Sequence, residues 1–179
     1  MSDLDRLQLL PPASTDTDAL LAFEAANRAY FESWVTARAP SYYHRDAIAA
    51  AIEQAGRERD KDSAHQYLAK LDGQIIGRVN LTAVTRAYFN KATLGYRIGE
   101  QFGGRGYATR IVALLLEEAF GSLELGRLEA TARPQNLGSI AVMQRHGFHQ
   151  YGRSEKAMLF QGTWSDLLYF ERRNDRQAS

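Results

Sequence analysis

The residues best suited to bind a ligand form a glycine-rich turn, Phe102-Gly103-Gly104-Arg105-Gly106-Tyr107-Ala108-Thr109, between a predicted strand and a predicted helix. Glycine lets the backbone approach a ligand closely, and the N–H groups of a helix's first turn carry partial positive charge. The turn therefore predicts a phosphate or pyrophosphate site. Its spacing excludes both the dinucleotide fingerprint and the P-loop, which ends in Gly-Lys-Ser/Thr. A flexible loop that leads into a helix is the structural alternative.

A second group of polar residues follows the next predicted strand, Arg127 to Arg133. Asn136 can cap a helix, and Ser139 lies one turn later on the same face. Both residues could bind a ligand. Alternatively, Asn136 acts only as a helix cap and Ser139 is only a surface serine. Glu129 lies on the polar face of the strand and is a candidate general base. It could equally be a structural partner of the neighbouring arginines.

The elements that must position these residues follow from hydrophobic periodicity and turn signals. Asp72-Gly73 predicts a tight hairpin turn, because this pair tolerates positive φ angles. The order of strands and helices predicts a mixed α/β fold. The predicted strands are Arg6–Leu10, Gln66–Leu71, Gln74–Thr82, Ala92–Ile98, Arg127–Arg133, His149–Phe160 and Trp164–Glu171. The predicted helices include residues from Leu20 to Trp34, Asp46–Gln54, Thr109–Phe120 and Asn136–His146.

Composition narrows the class of protein. The chain has 179 residues, a formal net charge of +1 and no cysteine, and its 24% of charged residues is ordinary for a folded protein. We expect one domain over residues 1–179 in the cytoplasm, without a signal peptide or membrane partner. A nucleic-acid partner is not expected, since the run Arg57–Asp62 alternates in charge sign instead of forming a basic face. The four histidines lack the spacing of a metal site.

Several of these segments together resemble the GNAT acetyltransferases, and more narrowly the ribosomal-protein N-terminal acetyltransferases. The similarity extends from about residue 65 to about residue 172. It implies a GNAT fold, with a mixed, mostly antiparallel sheet flanked by helices and with splayed central strands. The segments that carry the resemblance are Leu94-Gly95-Tyr96-Arg97-Ile98, Gly103 to Ala108, Arg127-Leu128-Glu129-Ala130, Asn136-x-x-Ser139 and His146-Gly147-Phe148.

The resemblance implies that the chain binds acetyl-CoA and releases coenzyme A. In the family, an Arg/Gln-x-x-Gly-x-Gly/Ala turn binds the pyrophosphate through backbone amides. Gln101-x-x-Gly104-x-Gly106 matches this pattern literally, whereas Gly103-x-x-Gly106-x-Ala108 fits the distance to the helix better and is preferred. The implied cofactor-binding residues are Ile98, Gly103, Gly104, Arg105, Gly106, Tyr107, Ala108, Thr109 and Asn136.

The same resemblance assigns catalytic roles. The backbone N–H of Ile98 should face the thioester carbonyl, where a preorganised donor stabilises developing negative charge. In the subgroup, the serine at the position of Ser139 lies near the sulfur as proton donor. Many relatives use a tyrosine four residues further on, but that residue is Met143 in this chain, which leaves the acid role to Ser139 or to water. His65 is a second candidate base beside Glu129, since the subgroup can place a base at that position and a neutral imidazole suits pH 7.

The implied acceptor is a primary amine, and the subgroup favours the α-amine of a protein N-terminus. The absence of cysteine supports direct transfer over an acetyl-cysteine intermediate. A small-molecule amine acetyltransferase and a non-catalytic acyl-CoA-binding module remain alternatives, and the chain is expected to be a monomer or a homodimer. The N-terminal helices and the last hairpin should form the acceptor site, with the aromatic candidates Tyr30, Phe31, Trp34, Tyr42, Tyr43, Tyr88, Phe89 and Trp164.

Overall fold

A computed structural model describes residues 3–175, which contain seven strands in one sheet with the order β1-β2-β3-β4-β5-β7-β6. Neighbouring strands are antiparallel except β4 and β5, which are parallel. This confirms the predicted mixed, mostly antiparallel sheet. The strands are β1 Leu7–Leu10, β2 His65–Leu71, β3 Gln74–Thr85, β4 Lys91–Ile98, β5 Arg127–Ala132, β6 His149–Phe160 and β7 Thr163–Arg173.

Helices cover both faces of the sheet. Leu20, Ile48 and Leu68 belong to an apolar cluster under the N-terminal helices, whereas Ile111 and Leu128 belong to a larger cluster on the other face. Within residues 3–175, no helix has both the length and the apolar character that crossing a membrane requires. The helices are α1 Thr17–Ala26, α2 Arg28–Glu32, α3 Arg45–Asp60, α4 Tyr107–Glu117 and α5 Leu137–Arg145.

The N-terminal helical pattern is interrupted where the sequence predicted one continuous helix. Asn27 separates α1 from α2, and its side-chain Nδ2 donates to the Phe23 carbonyl at 2.9 Å. Its Oδ1 accepts from the backbone N–H of Glu100 at 2.9 Å. Asparagine side chains compete with the helical backbone for hydrogen bonds, which explains the break. The break also ties α1 to the segment that follows β4.

Both predicted hairpin turns form as expected. Asp72 and Gly73 have φ angles of +50° and +83°, and Gln161 and Gly162 have φ angles of +48° and +79°. Positive φ at both central residues is typical of the turn whose twist matches that of two antiparallel strands. The turns join β2 to β3 and β6 to β7, and so fix the register of both pairs.

Candidate active site

The two central strands, β4 and β5, pair along only part of their length. Their pairing joins Lys91–Thr93 to Arg127–Glu129, although β4 continues to Ile98 and β5 to Ala132. Beyond the paired residues the strands diverge and leave a gap in the sheet. Backbone groups of a strand that has lost its neighbour are free to bind a ligand. The splayed central strands that the resemblance implied are therefore present.

The backbone of Ile98 faces this gap. Ile98 lies opposite Gly77 of β3, and the next N–H along the strand, that of Gly99, donates to the Ile76 carbonyl at 2.9 Å. Successive N–H groups of a strand point to opposite edges. The N–H of Ile98 therefore points away from β3 and into the gap, where it can donate to a ligand oxygen.

A cavity of about 420 Å³ lies at the gap. Residues of α2 line it on one face, and residues of α4 and α5 line it on the other. Among the described residues, its wall includes no carboxylate and no imidazole. The lining residues are Tyr30, Phe31, Trp34, Val35, Tyr96, Arg97, Ile98, Phe102, Gly103, Gly104, Gly106, Ala108, Thr109, Asn136, Gly138, Ser139, Val142 and Arg145.

The glycine-rich turn forms one end of the cavity. Gly104 and Gly106 have φ angles of +70° and +82°, a conformation that L-residues disfavour, and Gly106 is the N-cap of α4. In the first helical hydrogen bond at this end, Arg110 N–H donates to the Gly106 carbonyl at 3.0 Å. The N–H groups of Ala108 and Thr109 precede that bond and have no partner within the helix. They can bind a pyrophosphate through the main chain.

The helix α4 begins two residues earlier than the sequence predicted. Gly106 already adopts the left-handed conformation that starts the helix, so Tyr107 and Ala108 belong to its first turn. Both predicted pyrophosphate patterns include glycines that line the cavity, whereas Gln101, required only by the literal pattern, lies outside the lining.

Two hydroxyl groups meet at the middle of the cavity. Tyr96 on β4 donates from its hydroxyl to Ser139 Oγ on α5 at 3.3 Å. Burial raises the pKa of the Tyr96 hydroxyl, so the group stays protonated near neutral pH and can donate. Because Ser139 accepts this bond, its own hydrogen remains available to a ligand.

Asn136 holds the helix that carries Ser139. Its Oδ1 accepts from the Ser139 N–H at 3.2 Å, which is the N-cap interaction that the sequence predicted. Its side chain also lines the cavity, and Nδ2 has no hydrogen-bond partner among the described residues. The Asn136 side chain is therefore a helix cap and also part of the cavity wall. Met143, one turn further, is 1% exposed in the core and outside the lining, so it has no part in the site.

The two candidate bases lie outside the cavity wall. Glu129 pairs with Lys91 at 2.8 Å and with Arg127 at 2.7 Å, at the joint where β4 and β5 still meet. His65 is buried at the start of β2, and its Nε2 bonds to Asp62 Oδ1 at 2.7 Å. Each group is thus engaged by neighbouring side chains and does not line the cavity, so its role as base stays a prediction.

Two residues of the turn also point elsewhere. The ring of Tyr107 is 2% exposed and packs edge-on against Phe102, and its hydroxyl donates to Asp3 at 3.3 Å. Arg105 lies 4.0 Å from Asp3 and stacks over the Tyr107 ring. Neither residue lines the cavity, so a contact of Arg105 or Tyr107 with the cofactor stays a prediction.

Three of the eight aromatic acceptor candidates, Tyr30, Phe31 and Trp34, line the cavity at its α2 end. The remaining five lie outside the lining. Sequence reasoning did not assign a function to three further lining residues, Tyr96, Arg97 and Arg145. Alternation along β4 could have separated Tyr96 from Arg97 by face. The contact of Tyr96 with Ser139 on α5 depends on tertiary packing, which local sequence patterns do not predict.

His146 lies at the end of α5, where burial lowers its pKa and favours the neutral ring. Its Nε2 is 2.8 Å from the carbonyl of Thr109. A carbonyl only accepts, so Nε2 carries the hydrogen, and the ring fastens α5 to the first turn of α4.

The sequence was compared with family profiles and with curated proteins, and both comparisons find acetyltransferases. The sequence profile described as "Acetyltransferase (GNAT) domain" matches residues 6–149. "Probable N-acetyltransferase YjcK" of Bacillus subtilis is 32% identical over 158 residues, which cover 87% of each chain. The "[Ribosomal protein uS5]-alanine N-acetyltransferase" of Escherichia coli is 26% identical and covers 90% of this chain and 84% of its own.

A solved structure has the same fold. The Mycobacterium smegmatis RimJ in complex with CoA-disulfide superposes with a TM-score of 0.88 at 24% identity, covering 97% of this chain and 84% of that chain. The profile match extends over most of the sequence, and both curated relatives are named as N-acetyltransferases. The chain therefore belongs to the GNAT family of acetyltransferases and is an acyltransferase.

Proposed function

We propose that this acetyltransferase transfers the acetyl group of acetyl-CoA directly to a primary amine, the α-amine of a protein N-terminus. The observation that carries the proposal is the cavity through the splayed strands. It has unpaired helix N–H groups at one end, a Tyr96–Ser139 hydroxyl pair at its middle and an aromatic wall at the other end. Acetyl-CoA would supply an activated acyl carbon and a thiolate leaving group.

Support for the cofactor comes from the turn and from a relative. The residues fit a pyrophosphate, because Gly104 and Gly106 expose the main chain and the N–H groups of Ala108 and Thr109 lack helical partners. The structurally similar RimJ is described in complex with CoA-disulfide. Arg145, at the same end of the cavity, would add a positive charge toward the phosphates.

Three groups of this chain would act on the reacting atoms. The Ile98 N–H donates to the acetyl oxygen, where negative charge develops as the amine attacks. Ser139 Oγ gives its proton to the departing sulfur, and the Tyr96 hydroxyl replaces that proton or holds the oxygen in place. Asn136 fixes the position of Ser139 and can donate from Nδ2 to the cofactor's amide-rich arm.

Among the described residues, the cavity lining contains no carboxylate or imidazole that could accept the proton of the attacking amine. Arg97 and Arg145 make the cavity positive. Positive neighbours disfavour the ammonium form and lower the pKa of an amine that enters. We infer that the amine loses its proton to water, so that neither Glu129 nor His65 is required as a base.

The acceptor assignment depends on the relative from E. coli, which is named for an alanine of ribosomal protein uS5. The test is an acceptor screen with the purified chain and acetyl-CoA, read as released thiol and as acetylated product by mass spectrometry. It compares peptides with a free α-amine, the same peptides blocked at the α-amine but carrying lysine, and polyamines. We expect only free α-amines to be acetylated.

Two outcomes would overturn the proposal in different ways. Acetylation restricted to lysine side chains or polyamines would show that the acceptor is not a protein N-terminus. Coenzyme A binding by calorimetry without thiol release toward any amine would show a binding module instead of an enzyme of this reaction.

A further inference from the structure

A cluster of charged residues lies behind the acceptor end of the cavity, between the sheet and α1. Glu24 is fully buried, and its Oε1 accepts from Arg78 Nη1 at 2.5 Å. The same Arg78 Nη1 donates to the Tyr42 hydroxyl at 2.8 Å, and Nη2 donates to Gln66 Oε1 at 3.1 Å. Arg78 is thus fully engaged by neighbours of this chain.

Two further arginines adjoin this pair without equivalent partners. Arg97 lies opposite Arg78 on the neighbouring strand, so both side chains project from the same face. Its Nη1 is 3.7 Å from Glu24 Oε2, too far for a hydrogen bond. Arg38 stacks over the Tyr42 ring at 4.1 Å, and its buried Nε has no hydrogen-bond partner. One buried carboxylate therefore lies within 4 Å of two guanidinium groups, and a third guanidinium, that of Arg38, packs on the Tyr42 ring beside Arg78.

Such an excess of positive charge is costly away from bulk water, because buried charges need partners of opposite sign. No hydrogen bond joins the Arg97 guanidinium to another described residue, and its side chain is 23% exposed. Its exposed part lines the cavity beside Tyr30 and Phe31. The position has the properties of a prepared anion site that a ligand completes.

We propose that Arg97 binds a carboxylate carried by the acceptor close to its reactive amine. The inference rests on the proposed function and adds the class of acceptor. Arg97 directly precedes Ile98, whose N–H faces the reacting carbonyl, so one strand holds both the charge-recognising and the activating group. The planar guanidinium suits a carboxylate, which it can bind through two parallel N–H donors.

The carboxylate has two sources, and paired substrates distinguish them. Peptides that differ only by aspartate or asparagine at the second residue, each amidated at the C-terminus, test a side-chain carboxylate. A free amino acid and its amide test an α-carboxylate. We expect kcat/KM to favour the acid of at least one pair by about tenfold to a hundredfold, the range of a charge-assisted hydrogen bond.

Variants then connect the preference to Arg97. In Arg97→Gln the ratio of acid to amide should fall close to one, whereas Arg97→Lys, which keeps the charge and loses the planar fork, should give an intermediate ratio. Arg153→Gln removes one exposed positive charge of β6, paired with Asp166 outside the cavity, and should keep the wild-type ratio.

The wild-type measurements decide the question even if Arg97→Gln does not fold. If amines are acetylated and both acid-to-amide ratios are near one or below, the carboxylate site is overturned while the acetyltransferase function stands. An unchanged ratio in folded Arg97→Gln would overturn the role of Arg97. If no amine is acetylated at all, the proposed function fails first.

Discussion

Tyr96 and Ser139 bring two hydroxyl groups to the wall of one cavity, the first from a strand and the second from a helix. A serine hydroxyl alone is a weak acid, but its proton becomes easier to transfer when a second donor stabilises the oxygen that is left. Burial keeps Tyr96 protonated by raising its pKa, which is the state this role requires. In the proposed mechanism, this pair would supply the acid that Met143 cannot.

Removal of either hydroxyl should slow the chemical step more than it weakens cofactor binding. We expect Ser139→Ala to lower kcat about 100-fold, the lower limit of typical general-acid contributions. Tyr96→Phe, which loses one supporting hydrogen bond, should lower kcat about threefold to tenfold. Steady-state kinetics with a fixed peptide amine and calorimetry with coenzyme A would separate the two effects.

Tyr67→Phe is a matched control for the tyrosine variant. Tyr67 is also buried, and its hydroxyl donates to Glu118 at 3.1 Å outside the cavity. It should keep the wild-type kcat although it also loses one hydroxyl hydrogen bond. Equal losses of kcat in Tyr96→Phe and Tyr67→Phe would indicate a general effect of folding, and full activity of Ser139→Ala would exclude the serine as acid.

The sequence was informative about residues that act through their backbone or as a cap. Glycines at 103, 104 and 106 and the caps of α4 and α5 have local signatures, and all line the cavity. Glu129 and His65 could not be placed in this way. Whether a carboxylate on a strand faces a substrate or a lysine depends on the neighbouring strand, and Lys91 is 38 residues away in sequence.

At the scale of elements, the turn before α4 would determine where the phosphates of the proposed cofactor bind. Gly106 must adopt a left-handed conformation so that the helix begins immediately after it. A Cβ at this position would lie 3.7 Å from Leu4 Cδ1, an ordinary contact, so space is not the constraint. The constraint is the φ angle of +82° itself, which costs a residue with a Cβ about 1–2 kcal/mol.

Gly106→Ala should therefore destabilise the protein and displace the helix's first N–H groups from the binding position. We expect the free energy of unfolding to fall by about 1–2 kcal/mol and the affinity for coenzyme A to fall with it. Gly56→Ala is the control, because Gly56 lies within α3 at negative φ with open space around it. It should stabilise the fold by about 0.5–1 kcal/mol and leave affinity unchanged.

Thermal unfolding and calorimetry measure both quantities. Wild-type affinity in Gly106→Ala would show that the turn tolerates a Cβ and that the pyrophosphate does not depend on this backbone conformation.

The existence and order of the elements were predictable, but their boundaries were less so. Strong periodicity and Asp72-Gly73 located the strands and hairpins, whereas the break at Asn27 had no local signature. It is stabilised by a contact with Glu100, 73 residues later. The splay of β4 from β5 came from family resemblance, since neither strand shows in its own sequence where pairing with the other ends.

At the scale of the whole molecule, the cavity lies between two parts of one sheet. Strands β1 to β4 and strands β5 to β7 share three residue pairs, reinforced by the ion pair of Lys91 with Glu129. On the α2 side, Arg133 donates to the Trp34 carbonyl and Gln161 to the Glu32 carbonyl, both at 3.2 Å. These contacts join the two parts of the sheet in addition to the three residue pairs.

The acid stability of this fold should depend on a carboxylate outside the cavity. Asp62 joins the end of α3 to the loop after β3, because its two oxygens accept from Arg86 at 2.5 and 2.9 Å. The hydrogen bond from Arg86 lowers the pKa of Asp62 from 3.8 to about 2. A carboxyl group with a lower pKa in the folded state stabilises that state above the unfolded value and loses this effect as pH falls through the folded value.

Asp62→Asn should therefore lower the melting temperature at pH 7, and the deficit should shrink between about pH 4 and pH 2. Asparagine tolerates the φ angle of +52° at this position, so the substitution removes charge with little backbone strain. Since Asp62 is 40% exposed, we expect the free energy of unfolding of Asp62→Asn to be only about 1 kcal/mol below that of the wild type at neutral pH.

Asp60→Asn is the control. Asp60 is exposed and has no ion pair among the described residues, so this substitution should leave the melting temperature unchanged at every pH. A full deficit in Asp62→Asn that persists at pH 2 would show that the lost contact is steric, because at that pH about half of the wild-type carboxyl is protonated in the folded state and most of its contribution to stability should be gone.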